Sequence, residues 1–205
     1  PRFFPTLNRD HWVLRSPVAS CRAAAGGMIV QPAPITAIAD LRHCHTFMDE
    51  CFLLHQEALI AARPRLALRL LVLFWRALRL HIEQEEQVLL PAVGAAAERL
   101  RWPPRLYHGE HRKLESLLRA IGRELWARRG GMSRREVIEL IEREKTFKHV
   151  TEHHNLREEQ DLFPLADDTL DAAARRTLTT RLQAQWQALC DELSPRIERL
   201  RGQLP

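Results

Sequence analysis

The chain has 205 residues, of which 45% are hydrophobic, and a formal net charge of +5. This length and apolar content suit one domain with a sizeable core. No apolar run reaches the roughly 18–20 residues that a membrane-spanning helix needs. The four cysteines form no Cys-x2-Cys pair, which argues against a zinc finger or a disulfide framework. We therefore expect a soluble cytoplasmic protein that does not enter a membrane.

The positive charge does not indicate a nucleic-acid partner. Most of the basic residues are arginines that are scattered among glutamates in helical segments, and there is no lysine-rich tail. Solvated helix faces account for such a pattern. The densest basic stretch, residues 128–135, contains Gly130 and Gly131 and is predicted to be a loop between helices.

The N-terminal residues 1–33 are predicted to form an irregular arm. They contain several prolines and the pair Gly26-Gly27, and they show no sustained period. Met28 is a candidate for the natural start, because the helical pattern begins soon after it.

From Ile35 onward the sequence has a helical pattern with prolines at the boundaries. The first helix is predicted from Ile35 to Ala62. The second is predicted from about Arg65 to Leu100, with a kink or break near Pro91 because proline lacks the backbone N–H.

Trp102-Pro103-Pro104 is predicted to open the third helix and Gly130-Gly131 to close it. Ser133, with Glu136 three residues later, forms a capping box for the fourth helix, which ends near Pro164. A last amphipathic helix is predicted from about Leu170 to Leu200.

Short connections between these helices favour antiparallel neighbours. The fold class is therefore predicted to be all-α, with an up-down-up-down four-helix bundle over residues 34–168. Residues 169–205 would form an additional C-terminal helix packed on the bundle. Its apolar flank is also the basis for expecting a homodimer.

An eleven-residue pattern occurs twice, at residues 81–91 and 154–164, with six identical positions and no gap. Each copy begins with His-x3-Glu-Glu and closes with proline. Residues four apart on a helix share a face, so His81 and Glu85 can point to one place, as can His154 and Glu158. Each copy therefore supplies half of a potential metal site.

Another histidine precedes each copy, His45 before the first and His111 before the second. Imidazole and carboxylate together suit first-row transition metals. Six protein ligands are many for one ion that must also bind something else, whereas two ions would share them with open positions. We therefore predict a dinuclear site formed by His45, His81, Glu85, His111, His154 and Glu158.

Several neighbouring residues leave alternatives open. His108, three residues before His111, is an alternative ligand, and His153 is one if the register of the fourth helix differs. Glu86 and Glu159 follow their partners by one residue, which turns them about 100° off the ligand face. They are predicted either to support the ligands from outside or to form surface ion pairs.

The order His, His-x3-Glu-Glu-x4-Pro, His, His-x3-Glu-Glu-x4-Pro resembles the hemerythrin-like, or HHE cation-binding, family over about residues 35–168. The resemblance implies a four-helix bundle that holds two iron ions. It assigns the six residues above as ligands, with the two glutamates and an oxo or hydroxo group as bridges. Zinc and manganese are the alternative metals.

The chain departs from the oxygen-carrying members at Tyr107, where the resemblance implies a further histidine. Iron handling, iron-centre repair or reaction with oxygen, nitric oxide or peroxide is therefore expected rather than oxygen carriage. The small partner would be a diatomic molecule. Two other interpretations remain: a sensor or interaction module that responds to metal or oxygen, and a bundle with structural zinc or manganese.

Overall fold

The computed structural model of the chain describes residues 33–205, and this part contains helices and no strand. The predicted arm of residues 1–33 and the candidate start at Met28 lie almost wholly outside it. The α-helices are α1 Arg42–Ile60, α2 Pro64–Gln84, α3 Leu90–Val93, α4 Pro104–Ala127, α5 Arg134–Arg157, α6 Phe163–Thr169 and α7 Ala172–Arg201.

The four long helices before α7 form a bundle. Helix α1 packs against α2 and α5, and α4 packs against the same two helices, so α1 and α4 are diagonal partners. Helix α7 packs mainly on α2 and also contacts α1. The predicted all-α bundle with an additional C-terminal helix is confirmed. None of the described helices is both long and apolar enough to cross a membrane.

The first helix begins later than the predicted Ile35, because a 3-10 turn at Ile38–Leu41 precedes α1. Side-chain carboxylates accept the backbone N–H groups that have no helical partner at the start of this turn. Asp40 accepts the backbone N–H groups of residues 36 and 37, at 2.9 Å each. Asp167, in α6, accepts those of residues 38 and 39 at 3.3 Å.

Two π-helical turns interrupt the helices that carry the repeated pattern. They are Glu85–Leu89, after α2, and Glu158–Leu162, after α5. In each, the N–H of the following residue, Leu90 or Phe163, donates to the carbonyl of the glutamate five positions earlier. The two copies of the sequence pattern therefore share one unusual backbone structure.

The prolines of the pattern explain these turns. Pro91 and Pro164 each lie two residues after a π turn, and a proline ring in a regular α-helix clashes with the carbonyl four residues before it. A wider turn accommodates the ring without ending the helix. The break expected near Pro91 is thus a π turn that starts at the glutamate. At Gly94, where φ is 49°, the chain then changes to a 3-10 helix, Gly94–Arg99.

Helix α7 contributes to the core of the same chain. Phe47 packs edge-on against Trp186 at 5.8 Å between ring centroids. The apolar flank behind the homodimer expectation is therefore covered by α1 and α2 of its own bundle. The buried apolar residues of α7 are Leu178, Leu182, Trp186, Cys190, Leu193, Ile197 and Leu200.

Buried polar side chains link three helices of the bundle at a distance from the six predicted ligands. His55 and Glu144 are both fully buried, and His55 Nε2 lies 2.8 Å from Glu144 Oε1. The other ring nitrogen of His55 donates to the carbonyl of Ala67 at 2.8 Å. Gln56 donates to the second oxygen of Glu144 at 2.9 Å. His55 thus lies away from the predicted metal residues and links α1, α2 and α5.

Replacing Glu144 by alanine is expected to lower the free energy of unfolding by about 3–5 kcal/mol, because the donors of His55 and Gln56 would lose their buried acceptor. Urea denaturation measures this change. Glu142→Ala is the matched control: its ion pair with Lys145 is exposed, and such pairs contribute about 0–1 kcal/mol. Equal losses in the two variants would contradict this account.

Candidate metal centre

The six predicted ligand residues come together in the middle of the bundle. Each of the four long bundle helices places one histidine inward, and the two π turns begin at the glutamates. All six side chains are buried, with at most 4% of any residue exposed. They are His45, His81, Glu85, His111, His154 and Glu158.

One half of the cluster combines α1 and α2. His45 Nε2 lies 3.0 Å from His81 Nε2 and 3.1 Å from Glu158 Oε2. His81 Nε2 lies 2.9 Å from Glu85 Oε1. The donor atoms of these four residues all lie within 4.8 Å of one another.

The other half combines α4 and α5 in the same way. His111 Nε2 lies 3.0 Å from His154 Nε2 and 2.9 Å from Glu85 Oε2. His154 Nε2 lies 2.6 Å from Glu158 Oε1. These four residues form a second group with donor atoms within 4.8 Å. Glu85 and Glu158 belong to both groups and lie between the two pairs of histidines.

The bonding of the central carboxylates fits a cation. Both oxygens of Glu158 and Oε1 of Glu85 are buried and have no aligned hydrogen-bond donor. A buried carboxylate without donors is costly unless a positive charge compensates it. The histidine nitrogens that surround these oxygens also face each other in pairs. Two N–H groups that face each other would repel, whereas two lone pairs can both bind one ion. The two groups can therefore hold metal ions.

The electrostatics of the cluster reflect the same proximity. Burial lowers the pKa of His81, but the charges of Glu85 and Glu158 outweigh it and raise the pKa to about 10. Burial and the charge of Glu85 raise the pKa of Glu158, but His154 and His45 outweigh them and lower it to about 2. Without a metal, imidazolium protons compensate the carboxylates, and an ion that binds here takes over that role.

Two carboxylates outside the cluster accept hydrogen bonds from His45 and His111, the histidines that are not part of a His-x3-Glu pair. Glu159 Oε1 accepts from His45 Nδ1 at 3.0 Å, and Glu86 Oε1 accepts from His111 Nδ1 at 2.7 Å. Each acceptor comes from the repeat on a neighbouring helix. Such a bond keeps the proton on Nδ1 and leaves the Nε2 lone pair for a metal. Of the two interpretations of these glutamates, support of the ligands is the one that the contacts favour.

Glu110 was not identified from the sequence. It accepts from His154 Nδ1 at 3.2 Å and pairs with Arg157. The residue lies directly before His111 and faces the neighbouring helix, so the repeated pattern gave no signal for it. His81 differs from the other three histidines, because its Nδ1 has no hydrogen-bond partner among the described residues.

The remaining candidates lie outside the two groups. Tyr107 is buried and donates to Asp161 at 3.3 Å, so it acts as a hydrogen-bond donor to the π turn and not to a predicted ligand. Burial raises the pKa of this phenol, as does the charge of Asp161. His153 packs edge-on against His149, while His108 contacts Glu86 at 2.9 Å.

Comparison with known families supports a cation-binding site in this bundle. The model of the hemerythrin HHE cation binding domain matches residues 36–166. That segment contains all six predicted ligands and ends before α7. Comparisons with curated proteins and with solved structures gave no match.

Replacing Glu159 by alanine is expected to weaken the binding of one metal ion by about 10–100-fold, because His45 would lose the acceptor that orients it. The second ion, which His45 does not contact, should be retained. Competition with a chromophoric chelator measures both affinities. Glu83→Ala, which removes an exposed glutamate of α2, is the control. Uniform weakening of both ions, or none, would argue against this role for Glu159.

Proposed function

Because this chain belongs to the hemerythrin HHE cation-binding family, we propose that it binds two iron ions and uses them to bind or react with oxygen, nitric oxide or peroxide. The observation that carries the proposal is the sharing of Glu85 and Glu158 between two four-donor groups. A pair of ions held by two shared carboxylates requires this donor arrangement. A single ion does not.

The proposed ligands are the four inward histidines and the two glutamates, with an oxo or hydroxo bridge between the ions. Imidazole and carboxylate donors suit iron, and they also suit zinc and manganese. Each ion would have two histidine nitrogens and one oxygen from each of the two shared carboxylates. Four protein donors leave positions for a small ligand. Iron pairs supply one-electron redox chemistry and affinity for diatomic molecules.

A cavity one helical turn from the centre has room for a small ligand. It has a volume of about 470 Å³ and lies between α1, α2 and α5. Its lining includes Met48, Leu78 and Thr151, which are each three residues from a predicted histidine ligand and therefore one helical turn away. None of the six predicted ligands lines it. Six of its twelve lining residues are apolar, among them Phe52, Phe74 and Phe147, and these can contact an uncharged diatomic gas.

Tyr107 supports reactivity or iron handling over reversible oxygen carriage. It stands where the resemblance to oxygen carriers implies another histidine, and its hydroxyl is engaged by Asp161. The pair of ions would then have four histidines, two for each ion. The side of α4 that faces the centre offers no further imidazole in place of Tyr107.

The cytoplasm is the proposed compartment. Cys44, Cys51 and Cys190 are free and buried, and burial raises the pKa of each thiol. Reduced, inert thiols suit a reducing environment. A homodimer stays a proposal that would need a surface other than the buried face of α7.

Untagged protein is expected to contain about two irons per chain, with absorption bands that change on anaerobic reduction. Glu85→Ala and Glu158→Ala should each lower the iron content, because each glutamate serves both groups. Metal analysis with visible spectroscopy measures both effects, and Glu83→Ala is the control. Iron content that is unchanged in both variants would reject the proposal, and a single zinc would favour a structural site.

A sensor function is the second candidate, and Gln84 is the observation that favours it. This buried residue precedes Glu85 and donates its amide N–H to the carbonyl of Leu182, in the first half of α7, at 3.1 Å. A change of backbone at the π turn can therefore reach α7 directly. The C-terminal helix would then report metal occupancy to a partner.

The sensor candidate predicts different protease cleavage of residues 165–205 in metal-free and metal-loaded protein, since metal binding orders the elements that it joins. Gln84→Leu should reduce that difference while leaving metal content unchanged. Limited proteolysis followed by mass spectrometry gives the pattern. Identical digestion of the two forms would count against a sensor that acts through α7.

A further inference from the structure

A third group of potential ligands lies on the outer side of His111. Glu86 Oε1 lies 2.9 Å from His108 Nδ1 and 2.7 Å from His111 Nδ1, and the donor atoms of the three residues lie within 4.8 Å of one another. Two imidazoles and one carboxylate can bind a divalent transition-metal ion and leave positions for water. This outer group shares only His111 with the buried groups.

The outer group is accessible where the centre is not. The side chains of His108 and Glu86 are 38% and 32% exposed. The six central residues are at most 4% exposed, so an ion from solvent must lose its hydration shell before it reaches them. At the outer group an ion can exchange part of that water for protein ligands near the surface. Only the imidazole of His111 separates this group from the centre.

His111 connects the two locations through its two ring nitrogens. Its Nε2 lies 2.9 Å from Glu85 Oε2 on the inside, and its Nδ1 lies 2.7 Å from Glu86 Oε1 on the outside. A neutral imidazole carries one proton, and only the nitrogen without it can bind a metal. His111 can therefore ligate outward with its proton directed to Glu85, or inward with its proton directed to Glu86, but not both.

The other half of the centre has no equivalent group. His108 precedes His111 by three residues, and the residue three before His45 is Arg42. Arginine stays protonated and does not ligate metals, and Arg42 instead donates to the carbonyl of Ala39 at 3.2 Å. Glu159, the counterpart of Glu86, thus has no second histidine beside it among the contacts described. The pseudo-symmetry of the repeat is broken at this position.

We propose that Glu86, His108 and His111 form a transit site that admits divalent metal ions to the buried centre. The ion first binds the outer nitrogens of His108 and His111 with the carboxylate of Glu86. It then passes to the inner nitrogen of His111, Nε2. The proton of that imidazole moves from Nε2 to Nδ1, and the Nδ1–H group donates a hydrogen bond to Glu86. The transit site is consequently emptied as the centre fills. This inference rests on the proposed dinuclear centre.

Replacing His108 by alanine tests the transit site, because it removes one outer ligand and no central one. Metal-free protein would be mixed with Co²⁺ and its visible absorption followed in time. The variant is expected to fill about tenfold more slowly or worse, since a charged collecting site raises local ion concentration and on-rates. It should still reach the metal content of the wild type. His149→Ala, at an exposed histidine of α5, is the control.

A second measurement uses the double variant Glu85→Ala with Glu158→Ala, in which the centre is disabled. It should keep one Co²⁺ per chain at the outer group, and adding His108→Ala should abolish the binding of that ion. Circular dichroism verifies that the helices are retained. If the double variant does not fold, the loading rates alone decide.

The outcomes separate this inference from the proposed function. Wild-type protein that fails to bind two ions would reject the dinuclear centre itself. Two ions in the wild type with an unchanged loading rate in His108→Ala would overturn the transit site alone. Loss of a bound ion from fully loaded His108→Ala protein would also overturn it, because the outer group would then be a permanent third site.

Discussion

The structure depends on two buried carboxylates at the centre of the bundle. Glu85 and Glu158 are fully buried and have three oxygens without an aligned donor. A charged group in that position is stable only with a compensating cation, which imidazolium or metal can supply. The four inward histidines, their outer carboxylates and the π turns can all be understood as responses to this one requirement.

The repeated sequence pattern builds the centre with approximate two-fold symmetry. In each copy the first glutamate faces the centre and the second accepts from the single histidine of a neighbouring helix. The proline then imposes the π turn, which begins at the central glutamate. One short motif thus supplies a ligand, its backbone setting and the support of another ligand, and two copies on diagonal helices complete the arrangement.

The departures from this symmetry are where function is expected to differ between the two halves. His154 has the additional acceptor Glu110, whereas Nδ1 of His81 has no partner. His108 extends the α4 side toward solvent, and Arg42 occupies the matching position on the α1 side. Gln84 links only one π turn to α7. Each of these differences distinguishes two ion positions that the repeat alone would make equivalent.

The sequence by itself determined the helical class, the five long helices and the six central residues, because helical periodicity and a repeated His-x3-Glu pattern are local properties. It placed the helix ends less well. The turn that precedes α1 is held by Asp167, which is more than 120 residues away in the sequence and accepts the N–H groups of residues 38 and 39. Only the tertiary structure decided the roles of Glu110, His55 and Glu144. Their partners lie on other helices, and nothing in the local sequence shows which side chains the bundle brings together.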